Sequence, residues 1–284
     1  MSTMDQLKEL RERTGLPMLE CKKALTQSGG DIDAAIEALR KKGQLKAAKK
    51  SSRVTAEGVV AIRVTDSATT AYMLEVNCET DFVARDEGFL ALVKRGLDLA
   101  EQEDLSNVAE LAEKLEQARE ELVQKIGENI TIRRLVRLQD KVVGGYVHGG
   151  RKAALVALKG KGSVEMCDDV AMHVVASAPL VTRREEMPAS QMEKEKEVYT
   201  AQAGLSGKPA QIVEKMVEGR LKKFLSESCL VDQPFVKNPD QTVGQLVEQA
   251  GAEVAGFARM EVGEGIEKAE SNFAEEVMAQ ANRS

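Results

Sequence analysis

With 284 residues, 43% of them hydrophobic, the chain is long for one core and suits two or three domains of ordinary size. A formal net charge of −6 argues against a general nucleic-acid binder, whose affinity would rest on a positive surface, and favours a protein partner. The four cysteines (Cys21, Cys78, Cys167, Cys229) form no Cys-x-x-Cys pair, as in reduced thiols. No apolar run reaches about 18 residues and no leader follows Met1, so the expectation is a soluble, cytoplasmic chain with no membrane association.

The first segment reads as three short helices. Leu7 and Leu10 recur at helical spacing until Gly15, and Pro17 opens a second helix whose apolar face is Met18, Cys21, Ala24 and Leu25. Gly29-Gly30 breaks it. Asp31 then suits the cap of a third helix, with Ile32, Ala35, Ile36 and Leu39 on one face and an expected end before Gly43. A module this short buries only a small core and needs something to dock on. The following run, Arg40, Lys41, Lys42, Lys46, Lys49, Lys50 and Arg53, holds no acidic residue. It reads as an RNA-binding patch or as a solvated linker helix that can also meet an acidic partner surface. The lack of interleaved aromatics and the acidic balance elsewhere favour the linker.

An internal repeat follows, weak in identity and clear in order. Strands over 59–64 and 72–77, a helix from about residue 86 with helical residues continuing to 126, and a closing strand over 130–138 make the first copy. Strands over 142–147 and 153–159, a helix over 163–177 and a closing strand over 254–262 make the second. Duplicated β-β-α-β units with antiparallel sheets are of the α+β class. The strand over 72–77 alternates Tyr72, Leu74 and Val76 with Met73, Glu75 and Asn77, as a half-buried element would.

That strand runs into Cys78-Glu79-Thr80-Asp81-Phe82-Val83, a strand-to-helix junction of the kind that carries function more often than the elements it joins. Aromatics are only 3% of the chain and tryptophan is absent, so Phe82 needs an explanation. One reading makes Thr80 or Asp81 the helix N-cap and Phe82 a hydrophobic staple. The other has Asp81 and Phe82 offered to a partner.

The second copy is interrupted over about 187–224 by a charged stretch that breaks once at Ser206-Gly207-Lys208-Pro209. Met192 and Tyr199 on one arm, and Ile212, Val213, Met216, Val217 and Leu221 on the other, suit an antiparallel helical hairpin. It is either an arm covering sheet surface or a second contact site. A last helix over about 265–278 would expose Phe273 and Val277.

Enzyme motifs are missing. The segment from Gly204 to Pro209 lacks the spacing and the Ser or Thr of a phosphate-binding loop. His173 stands six residues from Cys167, a separation that does not share a helix face, so no metal site is expected and His173 reads as a core residue. His148 lies in the turn His148-Gly149-Gly150-Arg151, as a plain turn residue or a contact.

Thr80-Asp81-Phe82-Val83 resembles the signature of the elongation factor Ts family. Thr14-Gly15 followed by Cys21-Lys22-Lys23-Ala24-Leu25 resembles its opening motif. Gly127-Glu128-Asn129-Ile130 with Arg133-Arg134, Lys215-Met216-Val217-Glu218-Gly219-Arg220, and Val262-Gly263-Glu264-Gly265-Ile266-Glu267 are similar to further family motifs, so the resemblance spans nearly the whole chain. It implies an N-terminal three-helix bundle of ubiquitin-associated (UBA-like) type with the basic linker (1–54), core subdomains at 55–140 and at 141–182 with 229–263, a coiled-coil hairpin at 183–228 and a C-terminal helical module at 264–284. It also implies a guanine nucleotide exchange factor for the GTPase elongation factor Tu, working without cofactor, metal or covalent chemistry, in a complex that a homodimer of this chain could double. The contacts implied by position are Arg11, Met18, Leu19, Thr80, Asp81, Phe82, Val83, Ile126, Gly127, His148 and Val236. Three positions depart from the family pattern. Leu16-Pro17-Met18-Leu19 stands where Gly or Ala before a Met-Met pair is usual, Glu79 where glutamine is common, and Lys237 where some members have methionine, which removes 237 from the contacts. An RNA-associated protein using the basic run and an adaptor using only the first bundle are the other classes; neither accounts for the duplicated core.

Overall fold

The computed structural model describes residues 3–204 and 209–267. Helices α1 (Thr3–Thr14), α2 (Met18–Gln27) and α3 (Ile32–Lys50) come first. Strands β1 (Glu57–Val64) and β2 (Thr70–Cys78), helices α4 (Glu87–Gln102) and α5 (Val108–Ile126), and strand β3 (Ile130–Gln139) form the first repeat. The second repeat starts with β4 (Val142–His148), β5 (Lys152–Gly160) and α6 (Val164–Ser177). The inserted arms are α7 (Ala189–Gly204) and α8 (Ala210–Ser228), and the chain continues through β6 (Pro234–Phe235), β7 (Asn238–Thr242), α9 (Val243–Gln249) and β8 (Ala252–Glu261).

Local chemistry explains the starts of these helices. The Asp31 carboxylate accepts from the Asp33 and Ala34 amides at the head of α3, and Ser163 accepts from Met166 at the head of α6. Leu7, Leu10, Leu16, Cys21, Ala24, Leu25, Ala35 and Leu39 form the small core of the first three helices.

Two antiparallel sheets, in the orders β1-β2-β3 and β4-β5-β8, carry the rest. Ala71 and Met73 of β2 meet Val143, Leu155 and Met260 of the second sheet. Tyr72, Leu74, Val76 and Cys78 face the other way, onto Phe89, Leu92, Leu111 and Leu115 of α4 and α5. In the second sheet Ala154, Val156 and Leu158 face α6 through Cys167, Val170 and Val174. The expectation of a half-buried β2 is therefore corrected: every residue of the strand is buried, because a helical layer covers one face and the sister sheet the other.

The polar residues of β2 are satisfied inside. Glu75 has no exposed surface and accepts hydrogen bonds from Arg133 (3.0 Å), Asn77 (3.1 Å), the Gly263 amide (2.9 Å) and Arg134. The β2–β3 register shifts between Glu75 and Val76, leaving Arg133 as the bulged residue. A regular strand would send Arg133 and Arg134 to opposite faces; the bulge lets both reach one carboxylate.

The expected stop before Gly43 is also corrected, since α3 continues to Lys50. Gly43 is a point of close approach: a Cβ there would lie 2.5 Å from Gln124 Oε1 of α5. The basic run is helical as far as Lys50 and largely exposed, and it is also paired along its length. Lys42 and Lys46 pair with Glu20, Arg40 lies 3.9 Å from Glu121, Lys50 donates to the Gly127 carbonyl, and Ala47 is buried.

The inserted arms α7 and α8 pack on each other, with Ala203 and Val217 buried and the Arg220 guanidinium 5.9 Å from the Tyr199 ring centre. Most of the predicted final helix, including Phe273 and Val277, and the break at Ser206-Gly207-Lys208 lie outside the described residues.

His173 is a core residue. Its Nδ1 accepts from the Val236 amide (3.2 Å), so Nε2 carries the proton and donates to Gln233 Oε1 (2.8 Å). Burial holds its pKa below the ordinary 6.5. The folded state therefore refuses a proton that the unfolded chain accepts, and the contribution of neutral His173 is full above 6.5 and lost as the pH falls below it. Unfolding midpoints measured at about pH 7 and about pH 5.5 should differ more for the unsubstituted protein than for a His173→Gln variant.

Candidate partner-docking site

The site begins where β2 ends. Asp86 caps α4, accepting from the Gly88 (2.8 Å) and Phe89 (3.1 Å) amides, so neither Thr80 nor Asp81 is the cap of that helix. Phe82 is 82% exposed, so it is no staple either. The residues after it, Val83 and Ala84, turn inward and pack on the first core within a short 3-10 turn over Val83–Arg85. Val83 thus anchors the loop rather than offering its side chain. An aromatic ring held in water beside buried neighbours has apolar surface to bury, and burying it in an apolar pocket would contribute about 2 kcal/mol.

Polar contacts hold the loop from below. The Thr80 amide and hydroxyl donate to the two oxygens of Glu128, at 3.0 and 2.8 Å. Asp81 pairs with Arg85 at 3.2 Å and is otherwise open. The Cys78 thiol lies 3.1 Å from the Thr80 carbonyl, and burial, reinforced by Glu128, pushes its pKa up to about 12. That thiol is an inert hydrogen-bond donor, not a nucleophile.

Glu128 brings Ile126 and Gly127 to the same place. Gly127 ends α5 in the left-handed conformation, with φ of 90°, and its amide donates to the Val123 carbonyl. Ile126 packs partly onto the first core. Arg11, Met18 and Leu19 are exposed on the N-terminal bundle. The turn at Gly15 approaches the Lys125 side chain, where a Cβ on Gly15 would be 4.0 Å from its methylenes, so the bundle reaches the same end of α5. His148 is exposed at the end of β4, with Nδ1 3.3 Å from the Tyr146 hydroxyl. Its turn is tied to the first sheet through Arg151 and Glu57 (2.6 Å), and Glu57 pairs across the ladder with Cys78. Val236 is exposed and lies beside the second core instead, next to the buried Phe235, with its amide donating to His173 Nδ1.

Sequence reasoning missed Glu79, Glu128 and Asn129 as residues that build this site. Glu79 accepts from the Asn129 amide at 2.6 Å and faces Arg53 at 3.4 Å, a use for a carboxylate where the family pattern has an amide. The signal was the Gly127-Glu128-Asn129-Ile130 motif itself. Among the described residues no group of three or more His, Cys, Asp or Glu side chains is arranged to hold a metal ion, and no helix is long and apolar enough to cross a membrane.

The mixed α/β scaffold with small antiparallel sheets displays an exposed phenylalanine on a buttressed loop as its candidate docking site. The family model described as Elongation factor TS matches residues 79–264. Curated relatives include Elongation factor Ts of Marinobacter nauticus, 55% identical over 280 residues that cover 98% of this chain and 97% of the relative. Those of Saccharophagus degradans and Alcanivorax borkumensis are 56% and 54% identical, covering 96% and 97% of this chain and 96% and 99% of the relatives. The chain belongs to the elongation factor Ts family, whose members are factors of translation elongation.

Proposed function

We propose that this chain is a guanine nucleotide exchange factor that binds the GTPase elongation factor Tu in the cytoplasm, speeds GDP release and lets GTP rebind. The observation that carries this is Phe82, an exposed ring on a loop whose next two residues are buried. With Asp81 beside it, the ring enters the GTPase near its Mg²⁺ site, fills an apolar pocket and displaces the groups that hold metal and phosphates. Mg²⁺ and the phosphate loop supply much of a nucleotide's affinity, so disturbing either weakens GDP binding without covalent chemistry. Thr80 and Val83 support the pair, Ile126 and Gly127 flank it, and Arg11, Met18, Leu19, His148 and Val236 add contacts elsewhere on the partner. The units are a UBA-like bundle at 1–54, core halves at 55–140 and at 141–182 with 229–263, a coiled-coil hairpin at 183–228 that can support a homodimer, and a C-terminal module at 264–284.

Linkage supplies the test. A factor that lowers GDP affinity is itself bound less tightly by the GDP form, by the same ratio. Calorimetric titration should give tighter binding to nucleotide-free elongation factor Tu than to its GDP complex. Equal affinity for both forms would refute the proposal, because such a ligand shifts no equilibrium.

The N-terminal contacts make a separate prediction. Met18 and Leu19 are exposed, so a double change to alanine should alter stability by no more than about 0.5 kcal/mol. The same titration should show weaker partner binding, with the maximal GDP release rate little changed.

A further inference from the structure

We infer that Glu128 and Asn129 are positioning residues, a two-residue clamp that holds the Thr80–Phe82 loop in its presenting conformation and fixes the exit of the N-terminal bundle to it. The inference rests on the exchange reading only for its kinetic consequence. The clamp itself is a matter of hydrogen bonds within the chain.

The two residues sit at a place where three segments meet. Gly127, in the left-handed conformation, turns the chain out of α5, and β3 starts at Ile130, so Glu128 and Asn129 fill the whole connection. Glu128 accepts both hydrogen bonds that Thr80 can donate, from its amide at 3.0 Å and its hydroxyl at 2.8 Å. Thr80 cannot then swing toward the head of α4, where Asp86 already caps the helix. Asn129 is 3% exposed and spends its donors in two directions. Its backbone amide donates to Glu79 at 2.6 Å, beside the loop, and its side-chain amide donates to the carbonyls of Ser51 (3.3 Å) and Arg53 (3.0 Å), just past α3. Glu79 and Arg53 face each other at 3.4 Å and close the circuit. The loop that carries Phe82 and the segment that carries the N-terminal bundle are thus registered on a single buried residue, one through its backbone amide and the other through its side chain.

A carboxylate that receives two donors from one residue restricts that residue far more than a single bond would, because charge-assisted hydrogen bonds are both shorter and stronger than neutral ones. Loss of the pair should free the loop without opening either core. Phe82 would remain exposed and would explore many directions, so that binding to a pocket would first have to restore one of them. Positioning of this kind acts on the rate at saturation more than on the concentration needed to saturate.

Amide hydrogen exchange on the full chain without any partner tests the clamp directly. Glu128→Ala should speed exchange in the 79–83 segment roughly 10- to 100-fold, the range that loss of charge-assisted hydrogen bonds implies, and leave α6 unchanged. Glu128→Gln, which keeps one acceptor for Thr80, should fall between. Asn129→Asp, which sets a carboxylate against two carbonyls, should speed exchange over 51–56. With saturating factor, Glu128→Ala should lower the maximal GDP release rate about tenfold, and Phe82→Ala should then subtract less than it does alone. Unchanged exchange over 79–83 in folded Glu128→Ala and Glu128→Gln overturns the clamp. Faster loop exchange with an undiminished release rate overturns the positioning role. If the unsubstituted chain fails to speed GDP release, the exchange reading falls, and the hydrogen-exchange comparison still decides the clamp.

Discussion

Phe82→Ala should melt like the unsubstituted protein and yet lose most of its effect on GDP release. The ring is 82% exposed, so its removal leaves no cavity, and the expected change in stability is within about 0.5 kcal/mol. A staple buried in its own core would instead cost about 3–5 kcal/mol. Forfeiting about 2 kcal/mol of apolar burial in the step that releases GDP slows it roughly 30-fold. Asp81→Ala should share part of that loss, because the proposed mechanism brings the two side chains into one site. The double variant should fall short of the sum of the single effects. Thermal melts paired with stopped-flow release make the comparison.

The largest loss of stability is expected from Glu75. Glu75→Ala strips Arg133, Arg134 and the Gly263 amide of their common acceptor, a carboxylate with no exposed surface of its own. Breaking such a cluster costs about 3 kcal/mol, at the lower end for buried pairs because both arginines keep some contact with solvent. The melting temperature should fall by roughly 6–12 °C. A pH dependence follows. Burial alone would raise the Glu75 pKa, but the Gly263 amide, Arg134 and Asn77 together outweigh it and hold the value below the ordinary 4.5. The carboxylate therefore contributes fully above pH 4.5, and the contribution is lost as the pH falls below it toward the folded-state pKa. Urea unfolding of Glu75→Gln should show a shallower acid limb in that window. A parallel limb would mean that Glu75 is not held as an ion.

Glu75 also marks where sequence reading stops. An acidic residue and an asparagine alternating with apolar ones look like a solvated strand face, and no local feature tells that face from one whose charges are neutralised by arginines 58 and 59 positions away. Gly43 misleads for a similar reason, since a glycine that ends a helix and one that lets two helices touch are the same letter. By contrast, Pro17, Gly29-Gly30 and Asp31 act within a turn or two of themselves, and the first helices follow them closely. Both hairpins and their closing strands were legible from alternation, and the repeat from its order. At the site, Thr80, Asp81 and Asp86 are all able to cap a helix. The choice of Asp86 goes with the Val83–Arg85 turn, which sets Thr80 and Asp81 away from the head of α4, while Glu128, 48 residues from Thr80, takes the Thr80 donors. Phe82 could be singled out, but whether it faced water depended on Val83 and Ala84 turning inward.

The account stands most directly on the release of fluorescently labelled GDP from elongation factor Tu, followed by stopped flow as the concentration of this chain is raised. The expected result is a release rate that climbs and saturates well above the spontaneous rate, with the plateau strongly reduced for Phe82→Ala at equal folded concentration. A rate that stays at the spontaneous value at every concentration, or a plateau that folded Phe82→Ala reproduces in full, would contradict it.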